Sequence, residues 1–210
     1  MNIEKNWAEA VKPLLGKYKG KKHPLDYRTT YELVVMVILS ARDSDKHINQ
    51  LAPKFFAVYP DMKALSMATE EDLFPYLSGI VNFGNKAQWL IKLAQKVQDD
   101  TNIPTTLEGL TSLAGIGRKS ANVILRESGR KAEGVIVDLH VLRVAPRLGI
   151  ALGTNPEKIE KQIMAHIPQN DWGEIGMAIS FLGRETCRPS SPKCEECVMN
   201  GSCDYYSTIV

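Results

Sequence analysis

The sequence predicts an all-α fold. Three observations predict it: an apolar stripe at helical spacing in residues 86–97, a helix announced by its own cap and proline at Asn155-Pro156-Glu157, and a scarcity of strand signals. Taken in chain order, the apolar run 33–39 is short and continuous and reads as a buried element. In residues 86–97, Ala87, Leu90, Ile91, Ala94 and Val97 share one face, with Lys86, Gln88, Lys92 and Gln95 outside it. Thr105-Thr106-Leu107-Glu108 reads as a capping box, and Leu107, Leu110 and Leu113 follow at helical spacing. Val135-Ile136-Val137 is the best strand candidate, but it has no partner run. His140-Val141-Leu142-Arg143-Val144 resumes a helical pattern, and Pro146 within it is expected to kink the helix. After Asn155 and Pro156, the stripe Ile159, Ile163, Met164 and Ile167 is ended by Pro168.

The 210 residues suffice for one large domain or two small ones. A hydrophobic share of 44% with 24% charged residues is ordinary for a soluble globular protein. The first residues carry no apolar export segment, and no run approaches a membrane span, so a cytoplasmic protein that does not engage membranes is expected. A formal net charge of +2 is too small to argue for nucleic acid by itself. Lys17, Lys19, Lys21 and Lys22 cluster near the start, and Arg126, Arg130 and Lys131 further on. Such clusters are ordinarily solvated surface.

The first motif that carries chemistry is Leu113-Ala114-Gly115-Ile116-Gly117-Arg118-Lys119-Ser120-Ala121. Two glycines around one apolar residue make a tight turn between two helices, and glycine lets a ligand approach the backbone. The second helix then presents free N–H groups that hold a phosphate without reading sequence. A dinucleotide fingerprint needs a preceding strand and a third glycine where Ser120 stands; a Walker A loop needs Gly-Lys-Ser/Thr, which Arg118 interrupts. A plain helix–turn–helix with capping glycines fits the same residues.

Lys119 falls in the first turn of that second helix. The positive helix end and the adjacent Arg118 lower the cost of its neutral form, and a neutral amine attacks C1′ of a deoxyribose to give a Schiff base. Asp138, between an apolar run and the next helix, serves as N-cap or faces a cleft where its charge stabilises an oxocarbenium ion. The four cysteines are Cys187, Cys194, Cys197 and Cys203, spaced Cys-x6-Cys-x2-Cys-x5-Cys. Four thiolates so close together in a chain without an export segment point to a metal site, and the spacing alone admits zinc or a [4Fe–4S] cluster.

With these residues assembled, the chain resembles the endonuclease III family of helix-hairpin-helix (HhH-GPD) DNA glycosylases over nearly its whole length. The resemblance rests on Leu39-Ser40-Ala41, Asn85-Lys86-Ala87, the hairpin Gly115 to Ala121, Val137-Asp138 with His140 and Arg143, and the cysteine spacing. It implies a two-lobed fold: a six-helix barrel lobe over 25–132 ending in the hairpin, and a cluster lobe built from 1–24 and 133–210, with the iron–sulfur loop at 187–203 and DNA between the lobes. It places the catalytic lysine on Lys119, the catalytic aspartate on Asp138, and the ligands of a [4Fe–4S] cluster on the four cysteines. A lysine at position 119 implies a bifunctional glycosylase and abasic-site lyase. The implied partner is double-stranded DNA with oxidised pyrimidines or abasic sites, engaged by a monomer that flips the damaged nucleotide out. Gly115, Ile116, Gly117, Arg118 and Ser120 would grip the backbone, with Arg188 and Lys193 touching phosphates from the cluster loop.

Departures from the family pattern fall at Arg42, where glutamine is usual, and at Asn82, near an expected apolar wedge; both stand where the duplex is probed. They leave the lesion open, an alkylated or mismatched base included. Leu139 replaces a common threonine and Ala114 a frequent proline. A non-catalytic DNA-binding protein and an electron carrier are the competing functions; neither accounts for hairpin, lysine and cysteines together.

Overall fold

A computed structural model describes residues 5–209. Helices account for all of its regular structure, with no strand among the described residues. The first two are α1 (Trp7–Ala10) and α2 (Lys12–Tyr18); α3 (Thr30–Leu39), α4 (Asp45–Val58), α5 (Met62–Ser66), α6 (Glu70–Leu77), α7 (Phe83–Val97), α8 (Leu107–Thr111) and α9 (Arg118–Glu127) follow. The chain then forms α10 (Leu139–Leu148), α11 (Pro156–His166), α12 (Trp172–Glu185) and α13 (Asp204–Ser207). Two compact units result: Lys22–Arg130, and Met1–Lys21 joined with Lys131–Val210.

The unit of α3–α9 is built around α3, buried from Tyr31 to Leu39. That is why the run 33–39 lacks polar residues: α4, α7 and α9 all pack on this helix. The Tyr31 hydroxyl is satisfied by the Tyr59 carbonyl at 2.7 Å, and Phe55, Phe56, Tyr59 and Tyr76 stack around it. Helix α7 carries the expected stripe but corrects one placement. Lys86 does not lie on the outer face; only 1% of it is exposed. Its ammonium is inside because it donates to the carbonyls of Leu39 and Ala41, each at 2.7 Å, so a buried charge is satisfied by hydrogen bonds.

The other unit centres on α12, buried from Ile175 to Gly183 and packed on α2 and α10. Residues 135–137 are extended and buried but form no strand. They lie against a helix rather than a second strand: a Cβ on Gly176 of α12 would stand 2.4 Å from the Ile136 carbonyl oxygen. The Val135 N–H is taken up by Glu160 Oε1 at 3.1 Å. The expected capping box at 105–108 does not form. Thr106 is the cap, accepting from Gly109 N–H at 3.2 Å, and glycine at the third helical position has no side chain to reach back. Asn155 caps α11 as read, with Pro156 at its first position. Pro146 is carried inside α10, which runs on to Leu148.

Candidate functional site

The turn between α8 and α9 shows why its two glycines differ. Gly115 has φ +80, and a Cβ there would meet Trp89 at 3.0 Å and Ile38 at 3.3 Å. Both its backbone conformation and its packing exclude a side chain. Gly117 is extended at φ −90, ψ 174, which any residue adopts, and a Cβ there would meet nothing within 4 Å. Ile116 between them is buried and anchors the turn. Gly117 caps α9, leaving Arg118 and Lys119 exposed in its first turn and Ser120 half-buried. Lys119 thus stands at the second position of a ten-residue helix, two residues after the cap glycine.

In the other unit, Asp138 is the N-cap of α10, and its bonds use both oxygens. Oδ1 accepts from the N–H groups of His140 and Val141, each at 2.9 Å, and Oδ2 from the Ser180 hydroxyl at 2.6 Å. The Arg184 guanidinium stands 3.9 Å from Oδ2. Ser180 reaches Asp138 because α12 comes unusually close to the preceding segment and to α10. Gly176 accommodates the Ile136 backbone, and a Cβ on Gly183 would lie 2.9 Å from His140 Cβ. Arg143 fastens the two helices again, donating to the carbonyls of Gly183 at 2.9 Å and Cys187 at 3.2 Å.

Cys187, Cys194, Cys197 and Cys203 line one small pocket, walled by Leu148, Leu182 and Tyr206. Among the described residues, no three His, Cys, Asp or Glu side chains are arranged to hold a metal ion. Burial pushes the Cys197 thiol up, and the three neighbouring cysteines push it further. Such a set of mutually repelling thiolates suits a multi-iron core carrying positive charge. The Arg147 guanidinium supports the rim: it donates to Cys187 Sγ at 3.5 Å and to the carbonyls of Arg188 at 2.8 Å and Pro189 at 3.1 Å, and lies over the Tyr205 ring. The Thr186 carbonyl accepts from the N–H groups of both Arg188 and Lys193 at 3.0 Å. The loop is thereby pinned at its base, with both basic side chains exposed.

Arg42 and Asn82 are also exposed, and both have left-handed backbones, φ +61 and +62. Among the polar groups that support these sites, sequence reasoning missed Ser180, Arg184, Arg147 and the inward-facing Lys86. Only contacts distant in sequence reveal those four.

The helix–glycine turn–helix ending on a lysine, together with a four-cysteine cavity, defines a class of DNA-repair protein, and the comparisons agree. Residues 35–169 match the HhH-GPD superfamily of base excision DNA repair proteins, and residues 187–203 match the iron–sulfur binding domain of endonuclease III. Endonuclease III of Synechocystis is 35% identical over 206 residues, covering 97% of this chain and 94% of that protein. Endonuclease III of Bacillus subtilis is 32% identical, covering 85% and 83%. A solved covalent endonuclease III–DNA intermediate superposes with a TM-score of 0.85 at 28% identity, covering 96% of this chain and 95% of that one. A non-covalent endonuclease III–DNA complex gives 0.84. The chain belongs to the endonuclease III family of the HhH-GPD superfamily. It is a bifunctional DNA glycosylase and abasic-site lyase of base-excision repair, with a [4Fe–4S] cluster. No helix of the described residues is long and apolar enough to cross a membrane.

Proposed function

We propose that the protein acts as a monomer on double-stranded DNA in the cytoplasm, releases oxidised pyrimidines, and cleaves the resulting abasic strand, with Lys119 as nucleophile and Asp138 as its carboxylate partner. The observation that carries this reading is the exposed lysine at the second position of α9, two residues after a cap glycine at which a Cβ would meet nothing within 4 Å. The neutral Lys119 amine attacks C1′ as the bond to the base breaks, and the base leaves with the bond electrons. Asp138, fixed by three donors, holds negative charge where the sugar develops positive charge. Ring opening gives the Schiff base; loss of a C2′ proton then expels the 3′ phosphate. The N–H groups at the start of α9, with Gly115, Ile116, Gly117, Arg118 and Ser120, grip the DNA backbone. Arg188 and Lys193 meet phosphates from the cluster loop, and Arg42 and Asn82 probe the duplex beside the lesion.

Cys187, Cys194, Cys197 and Cys203 would hold the [4Fe–4S] cluster. When bound, it supplies a rigid cross-link for the loop between Cys187 and Cys194. A barrel lobe over 25–132 and a cluster lobe over 1–24 with 133–210 are supported by the division of the chain into compact units of closely similar bounds.

Borohydride trapping on a duplex with one abasic site tests the mechanism. The native protein gives a covalent adduct, and Lys119→Ala lowers its yield by at least about 10³-fold, as loss of a nucleophile does. A full adduct from Lys119→Ala rules the assignment out. Duplexes each bearing a single lesion read the substrate: oxidised pyrimidines are released, and a protein that releases only alkylated or mismatched bases overturns that part.

A further inference from the structure

Helix α3 ends at Leu39, and its last carbonyls need partners. They find one in a buried ammonium. Lys86 Nζ donates to Leu39 O and Ala41 O, each at 2.7 Å, so a cation from α7 sits at the negative end of α3. Ser40 to Asp43 then form a turn closed by Asp43 N–H to Ser40 O at 3.0 Å. Its third residue is Arg42, at φ +61. That position favours glycine or asparagine, and an arginine stays there only where its surroundings fix the turn.

The next residue joins this turn to a second loop. Asp43 Oδ2 accepts the Val81 N–H at 3.3 Å, and Oδ1 accepts from Ser44 N–H at 2.7 Å and pairs with His47 Nδ1 at 2.9 Å. Directly after Val81 comes Asn82, also exposed and left-handed, its amide oxygen taken by Asn85 Nδ2 at 2.7 Å. Four residues on, the chain supplies Lys86 itself, whose N–H closes the first turn of α7 on the Asn82 carbonyl at 3.2 Å. Lys86 and Asp43 therefore tie the two turns from both sides. Each turn displays one strained polar residue outward.

We propose that Lys86 is a positioning residue that yokes the Arg42 turn to the Asn82 loop, presenting both side chains as one preformed edge for duplex DNA. The inference rests on the reading of Arg42 and Asn82 as duplex-probing residues. An arginine free to relax from the left-handed region would have to be reordered on each encounter; the yoke removes that cost before DNA arrives. Burial holds the Lys86 ammonium below the ordinary lysine range; Asp43 opposes that shift and Arg42 adds to it.

The test measures single-turnover excision against DNA concentration for the cluster-loaded protein, Lys86→Met, Lys86→Arg, Arg42→Ala and the double variant Lys86→Met with Arg42→Ala. Methionine matches the lysine's length and drops the cost of burying a charge, so the fold survives. The half-saturating concentration of lesion duplex is expected to rise about tenfold in Lys86→Met with the maximal rate within about threefold of native. Arginine is expected to restore most of the loss. The double variant is expected to lose clearly less than the two single losses combined, because the part of the Lys86 effect that passes through the Arg42 turn is already spent in Arg42→Ala. A merely structural lysine would instead add its loss to that of Arg42→Ala. Additive losses, or native saturation by Lys86→Met, overturn the proposal. If Lys86→Met does not fold, Asp43→Ala breaks the yoke from the other loop and is read by the same criteria. Failure of the native protein to trap on abasic DNA sinks the catalytic reading; normal trapping with no Lys86 effect sinks the yoke alone.

Discussion

Around Asp138 the protein closes in, whereas around Gly117 and Lys119 it opens. The carboxylate takes two backbone N–H groups and a hydroxyl, and the helix bearing that hydroxyl has glycines at the two points where a Cβ would collide. The lysine follows a glycine whose surroundings are empty to 4 Å and whose backbone needs no glycine. The difference matches the roles proposed for the two groups. A carboxylate that stabilises developing charge works best when nothing about it reorganises. An amine that attacks, forms a covalent bond and is released must stay accessible. Glycines stand at both ends for opposite reasons: at Gly176 a methyl would meet the protein's own backbone, and at Gly117 it would meet nothing within 4 Å.

The largest effect is expected where the packing is tightest. In Gly176→Ala the new methyl would stand 2.4 Å from the Ile136 carbonyl oxygen and 2.7 Å from its nitrogen, and backbone on both sides has nowhere to go. Overpacking of this kind costs about 3 kcal/mol. At about 2–4 °C per kcal/mol for a chain of this size, Tm should fall by on the order of 10 °C in a thermal melt. A native melting curve for Gly176→Ala would mean that the segment bearing Asp138 does not rest on α12.

A middle effect is expected at Ser180. Alanine there removes the 2.6 Å donor to Asp138 Oδ2 and leaves the two N–H bonds to Oδ1. One lost charge-assisted bond is worth about 1.5–3 kcal/mol, so base excision should slow by roughly tenfold or more. Cleavage of a preformed abasic site, which skips loss of the base, should slow less. Equal losses in both assays would show that Ser180 supports the fold and not the carboxylate.

Much of this arrangement is legible in the sequence, and the gaps have a common cause. Asn155 and Pro156 announce α11 because caps and prolines act on their own neighbours. The cap role of Asp138 is local in the same way. Ser180, by contrast, is 42 residues from Asp138, and nothing about a serine inside an apolar helix names its acceptor. Residues 135–137 look like a strand because they are extended and buried; what lies beside them is a glycine on a helix, which periodicity does not reveal. Lys86 reads as an outer residue because lysine seldom goes inside. Its two carbonyl partners lie 47 and 45 residues away, on another helix and its turn.

The smallest effect on the fold, and the sharpest separation of the two regions, is expected at Gly117. An alanine there has an allowed backbone and open space, so it should leave Tm unchanged or raise it slightly, since replacing glycine in a tolerated conformation restricts the unfolded chain by about 0.4–1 kcal/mol. Binding should move the other way. If the empty space is where a phosphate-bearing backbone lies against the start of α9, one methyl pushes it off the N–H groups, and affinity for undamaged duplex should fall several-fold at fixed salt. Gly115→Ala is the control. It forces φ +80 on alanine against Trp89, so it should lose stability as well as binding. Stability loss without binding loss at Gly117 would make that glycine a packing residue like Gly115, and the contrast between an open helix start and an enclosed carboxylate would disappear.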